Sequence, residues 1–61
     1  MKEFKVLVHF YQGGTEKVLY ECLYLIMEES KEKAGAYVNN FLVMQNFYNF
    51  EIVSIEEVKN D

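Results

Sequence analysis

His9 and Cys22 are the single imidazole and the single thiol of this 61-residue chain. They are the side chains best suited to proton transfer near neutral pH and to nucleophilic attack. General-base catalysis by histidine needs an orienting carboxylate and a nucleophile within reach. His9 lies between Leu7 and Tyr11 in an alternating run, and Glu21 and Lys17 nearby read as cross-strand charge partners, so a surface histidine is the better reading. Cys22 falls among apolar residues without the basic neighbours that stabilise a thiolate, which makes it a packed, inert thiol. One of each rules out a Cys/His metal set within one chain. Gly13-Gly14-Thr15 has neither the spacing nor the lysine of a phosphate-binding loop, and it joins two strands where such a loop joins a strand to a helix. The acid pairs Glu28-Glu29 and Glu56-Glu57 would chelate a hard cation only if brought together, and at strand ends they are ordinarily solvated. Among the tyrosines at 11, 20, 24, 37 and 48, most are expected in the core, with Tyr11 set apart as a contact residue. No catalytic constellation emerges, and no enzymatic activity, metal or cofactor is expected.

Composition narrows the classes further. Hydrophobic residues make up 51% of the chain, and five Phe and five Tyr supply bulky apolar surface. The net charge is −4, and all six cations are lysines. Nucleic-acid readers rely on a basic stripe and favour arginine for bidentate contacts, so direct DNA or RNA binding is not expected. The acidic excess is that of a soluble surface rather than of a DNA mimic. Residues 1–11 carry Lys2, Glu3 and Lys5 among apolar neighbours, unlike a secretory signal, and the longest apolar run covers residues 23–27, far short of the roughly 20 residues of a spanning helix. A cytoplasmic protein without membrane contact is expected. The absence of Arg, Pro and Trp beside abundant Lys, Asn, Tyr and Phe suggests an AT-rich coding sequence, as in phages and mobile elements of low-GC bacteria.

The elements that must position these residues follow from periodicity. Residues 3–11 alternate, with Phe4, Val6, Val8 and Phe10 on one side and Lys5, Leu7, His9 and Tyr11 on the other, which predicts a strand. Gln12-Gly13-Gly14 reads as a tight turn, because glycine reaches the positive φ that hairpins demand. Residues 15–29 satisfy both a helical and a strand period; the preceding Gly-Gly turn and the β-branched and aromatic residues favour a strand. A three-residue loop would set Tyr11 opposite Thr15, Val8 opposite Val18, Val6 opposite Tyr20, Phe4 opposite Cys22 and Lys5 opposite Glu21. Ser30 is a plausible N-cap, and apolar residues at 34, 37, 38, 41 and 42 predict a helix from 31 to about 46. Phe41 is expected at the centre of its stripe, against Val6 and Val8. Residues 48–58 read as a last strand, with Phe50 and Ile52 on one face and Val53 and Ile55 on the other.

The junction Glu28-Glu29-Ser30-Lys31-Glu32-Lys33-Ala34, with the closing Ile52-Val53-Ser54-Ile55-Glu56-Glu57-Val58, resembles a pattern common among small ββαβ proteins of phages and mobile elements. It also looks like archaeal ribosomal protein LX in the order of its elements. Ribosomal proteins of that kind are basic while this chain is acidic and lacks Arg, so no RNA-binding residue is carried over.

A single α+β domain over residues 1–61 is therefore expected, a β-β-α-β chain whose three-stranded antiparallel sheet has the order 2-1-3 and one helix on one face. A chain this short buries only about 60% of its unfolded surface. Domains below about 70–80 residues rarely gain more than about 3–5 kcal/mol from one core and lean on disulfides, metals or oligomerisation. Only the last remains here. The face away from the helix would carry Leu7, Tyr11, Leu19, Leu23, Leu25 and Met27 as partner-binding residues, and residues 26–29 would extend beyond the hairpin as an unpaired apolar edge. A two-fold dimer would join the edges of two sheets or stack their open faces. These features imply a small non-enzymatic homodimer from a phage or mobile element that binds and modulates or inhibits a host protein, such as a defence factor. The alternative is a small-ligand binder that sequesters a nucleotide between protomers, with tyrosines stacking on the base and lysines meeting phosphate, a reading the lack of Arg weakens.

Overall fold

A computed structural model describes residues 1–59, and the last two residues of the expected domain lie outside that range. Three strands, β1 (Lys2–Tyr11), β2 (Val18–Glu28) and β3 (Phe50–Val58), form an antiparallel sheet in the order β2-β1-β3, and one helix, α1 (Lys31–Met44), packs on it. This is the α+β arrangement expected, with the first strand central. The ambiguous segment is strand from residue 18 onward.

Because β1 is paired along both sides, its inward residues become the most enclosed in the molecule: Phe4, Val6, Val8 and Phe10 meet Ala34, Val38 and Leu42 of α1. The helix starts where Ser30, extended at φ −145° and ψ 164°, accepts a hydrogen bond from the Lys33 backbone N–H through its Oγ at 3.3 Å. It stops two residues short of the expected end. Asn46 takes the left-handed conformation at φ 67°, its N–H bonds the Val43 carbonyl at 3.0 Å, and the Phe47 N–H bonds the Leu42 carbonyl at 3.0 Å. That pair of bonds is the Schellman arrangement, which satisfies carbonyls a helix end leaves open. Phe47 then turns back to meet the Phe10 ring edge-on at 5.2 Å.

The helix phase differs from expectation. Phe41 is not the central residue: it is 43% exposed and Tyr37 is 53% exposed, while Leu42 is fully buried. The buried line runs 34, 38, 42, and Gly35 flanks it towards β3, where a Cβ would come within 2.8 Å of Ile55 Cδ1. Close approach on that flank swings Tyr37 and Phe41 to the other side of the helix, beside Tyr24 and Ile26 of β2. Val18 and Tyr20, also expected beneath the helix, are 43% and 48% exposed.

The hairpin register is corrected by four residues. Val8 pairs with Cys22, Val6 with Tyr24, Phe4 with Ile26 and Lys5 with Leu25, while Glu21 faces His9. The connection is residues 12–17 rather than a three-residue loop. Gly14, at φ 74°, fills the third position of a turn closed by the Thr15 N–H to the Gln12 carbonyl at 3.0 Å, and the Gln12 N–H reaches the Lys17 carbonyl at 2.9 Å. Lengthening a loop by a few residues costs little. In the expected register β2 would have run about four residues, roughly 13 Å, past β1. A helix launched from there would have missed the core. Instead Lys2 pairs with Glu28, so residues 26–28 are paired within the hairpin and α1 starts at the sheet's end. A shift of four preserves side-chain parity, so the residues from Tyr20 to Met27 keep their expected faces, but a bulge at Leu19 sets Val18 opposite Tyr11 and moves it from the expected helix side to the open face.

On the other side, β3 shifts register between Leu7 and Val8, where Leu7 pairs with Ser54 but Val8 with Ile52. This bulge at Val53 changes the alternation midway. Ile55 therefore joins Phe50 and Ile52 against the core instead of facing away with Val53.

Candidate interaction surface

The sheet face opposite α1 is organised in rows that the two registers define. Leu23, Leu7 and Ser54 form the middle row; Leu25, Lys5 and Glu56 lie on one side of it, and Glu21, His9 and Glu51 on the other. The apolar residues of this face concentrate on the outer strand. Leu19, Leu23, Leu25 and Met27 of β2 are 55–60% exposed, whereas Leu7 and Tyr11 of β1 are half-buried. Of the six residues the sequence selects, Leu7 and Leu23 are direct cross-strand partners. Leu25 and Met27 pair with Lys5 and Glu3, and Tyr11 sits at the far end opposite Val18.

The polar end is tied together by side chains. His9 Nε2 lies 2.6 Å from Glu21 Oε2, and the Tyr11 hydroxyl donates to Glu51 Oε1 at 3.2 Å. Desolvation holds the Tyr11 phenol above its ordinary pKa, helped by the hydrogen bond to Glu51 and by the charges of Glu51 and Glu16. The sequence reading assigned Glu21 to Lys5, so the carboxylate on His9 is a consequence of the corrected register. The imidazole therefore has an orienting acid, and the row that holds them places a second carboxylate, Glu51, on the other side of His9. Among the described residues, no group of three or more His, Cys, Asp or Glu is placed to hold a metal ion.

Sequence reasoning missed the other flank of β2. Between α1 and the edge strand runs an apolar groove of about 200 Å³ lined by Tyr24, Ile26, Tyr37, Val38 and Phe41. Phe41 meets the Tyr24 ring edge-on, centroids 6.5 Å apart. Burial, with smaller contributions from Cys22 and Tyr20, raises the Tyr24 pKa. The signal available beforehand was the width of the helical stripe: five apolar positions exceed what a line of one residue per turn can bury. The outer strand is thus lined by apolar side chains on both faces. Cys22, whose side chain faces the helix side, is half-buried.

The larger grooves differ in chemistry. One of about 560 Å³ is lined by Tyr11, Thr15, Glu16, Val18, Tyr48, Asn49, Phe50 and Glu51, two acids and no cation. Another of about 570 Å³ at the opposite end sets Lys2 and Lys59 against Glu3 and Glu57. No helix among the described residues is long and apolar enough to cross a membrane. No protein-family model, curated protein or solved structure matches the chain.

Proposed function

We propose that this chain is a small, non-enzymatic, cytoplasmic interaction protein of phage or mobile-element origin, which acts as a homodimer and binds and inhibits a host protein such as a defence factor. The observation that carries the reading is the outer strand β2, whose Leu19, Leu23, Leu25 and Met27 stand 55–60% exposed on one face while Tyr37 and Phe41 stand exposed beside its other face. A contiguous apolar surface of this kind on a small monomer marks an association site. The nucleotide-binding alternative is less well supported, since the tyrosine-lined groove beside Tyr11 carries Glu16 and Glu51 where phosphate would need cations.

Two measurements test the reading. Sedimentation equilibrium should find a dimer at micromolar concentration, and a stable monomer at high micromolar concentration would remove the homodimer. Affinity purification of the tagged chain from its natural host should recover one stoichiometric protein, and recovery should fail for a folded Leu19→Lys variant. A nucleotide that co-purifies in place of a protein would transfer the case to the ligand-binding alternative.

A further inference from the structure

We infer that the sheet face opposite α1 docks a basic amphipathic helix of the partner protein, with the apolar stripe of that helix on Leu7, Leu23, Leu25 and Met27 and its lysine or arginine side chains on the acids around them. The inference deepens the reading of a host-protein target, whose docking segment it names, and rests on it. The two registers fix the layout of the face. Met27 and Val58 flank Glu3, Leu25 and Glu56 flank Lys5, Leu23 and Ser54 flank Leu7, and Glu21 and Glu51 flank His9. Leu23, Leu25 and Met27 are each more than half exposed. With Leu7 they make an apolar patch towards the outer strand, bounded by Glu3 at one end, by Glu21 and Glu51 at the other, and by Glu56 across the sheet. An apolar centre inside a polar rim is the usual anatomy of a protein interface.

The charge of the rim selects the occupant. Glu3, Glu21, Glu51 and Glu56 share the face with Lys5 alone, while Lys17 and Lys59 stand beyond its two ends. Four carboxylates less one lysine leave three negative charges here, out of a formal net charge of −4 with His9 neutral. Glu51 accepts from the uncharged Tyr11 hydroxyl, and Glu21 lies against His9 Nε2, so both carboxylates are held in place without a lysine. Among the described residues, the lysine ion pairs join Lys2 to Glu57 and Lys33 to Glu29, neither of them on this face. Stacking two copies by this face would set the same acids against one another. Charge therefore disfavours a second copy here and favours a cationic partner.

Shape selects a helix. The outer strands β2 and β3 lie two strand spacings apart, about 10 Å, which is the width of a single helix, and α1 fills that width on the other face. From Glu3 to Tyr11 the face runs about 26 Å at roughly 3.3 Å per residue, the length of a helix of about 18 residues. A helix touches the patch along one line and meets the acids with long side chains whose charged ends stay in water. A sheet laid flat over the same face would bury Glu21, Glu51 and Glu56, at the cost of desolvating three carboxylates.

The probes are two synthetic peptides of about 18 residues, each with a helical leucine stripe and one tryptophan, the polar positions being lysine in one and glutamate in the other. The chain has no tryptophan, so peptide fluorescence reports binding, and circular dichroism reports helix formation and the folding of each variant. The lysine peptide should gain helix on binding and bind at least about tenfold more tightly than the glutamate peptide. Raising the salt from about 0.1 M to about 1 M, which shortens the screening length from about 10 Å to about 3 Å, should weaken it severalfold. Leu23→Lys should weaken it at least about tenfold, and Glu21→Lys/Glu51→Lys/Glu56→Lys should reverse the preference between the peptides. Methyl NMR shifts should concentrate at Leu7, Leu23, Leu25 and Met27 and spare Val38 and Leu42, which lie beneath α1. Binding indifferent to Leu23→Lys, or a preference unchanged in the triple variant, overturns the docking face, as does self-association that Leu23→Lys abolishes, which would make a second copy its occupant. A host protein recovered equally well by the parent and by a folded Leu23→Lys variant overturns the face and leaves the target reading standing. Peptide results as expected with no host protein recovered support the face and remove the target reading.

Discussion

Replacing Leu42 by alanine removes the largest fully buried side chain of the molecule. Three methylene equivalents at about 0.8 kcal/mol each give a transfer loss of roughly 2.4 kcal/mol. The cavity left among Val6, Val8 and Val38 adds to that, since core cavities cost about 24 cal/mol per Å³, and measured Leu→Ala losses run to about 5 kcal/mol. A loss of about 4 kcal/mol compares with a total stability of roughly 3–9 kcal/mol for a domain of this length. At about 4–8 °C per kcal/mol, the melting temperature should fall by roughly 15–30 °C. Phe41→Ala provides the contrast. Although phenylalanine is the larger residue, 43% of it is already exposed, so about half of the usual 3–5 kcal/mol is at stake, roughly 2 kcal/mol. Urea titrations followed by circular dichroism, run on both variants at one protein concentration, measure the difference. Should Phe41→Ala cost more than Leu42→Ala, the helix phase described above is wrong, and with it the placement of the aromatic flank over β2.

Asn46 holds a left-handed backbone at the helix end, so Asn46→Ala should lose about 1 kcal/mol while Asn46→Gly holds or gains stability; thermal melts that rank the two the other way contradict the Schellman assignment. Gly35 faces Ile55 Cδ1 at 2.8 Å from an added Cβ. Gly35→Ala should come out near neutral, because about 1 kcal/mol of helix propensity offsets a displaced terminal methyl, whereas Gly35→Val should destabilise by about 1–3 kcal/mol; equal effects in chemical denaturation would show that α1 does not approach β3 there. Tyr11 and Tyr24 both ionise above the ordinary value of 10.0 in the folded chain. Their contribution is fully present below pH 10 and is lost as pH rises through the folded values, so stability should fall on the alkaline side. Phenolate absorbance of Tyr11→Phe, subtracted from that of the parent, isolates Tyr11, and a titration at or below the ordinary value would count against its bond to Glu51.

Side-chain parity was readable in advance because a strand alternates with a period of two, so reading residues 3–11 and 15–29 as strands divides their side chains between two faces, as the structure has them from Phe4 to Phe10 and from Tyr20 to Met27. Faces, element order and the leucine-rich open side followed from that alternation. Register did not, because a slip of four leaves every parity unchanged, and the choice between Val18 and Cys22 as the partner of Val8 depends on where the helix must begin. The candidate surface was legible on its Leu23 and Leu25 side for the same reason. Its aromatic side was hidden: Tyr37 and Phe41 belong to a stripe whose centre any of several positions could occupy, and the approach of Gly35 to Ile55 decides it. The bulge that turns Ile55 inward likewise arises between strands. Local periodicity determines which residues share a face, whereas the partner each residue meets is set by loop closure and by the docking of one helix on three strands, which no short stretch of sequence contains.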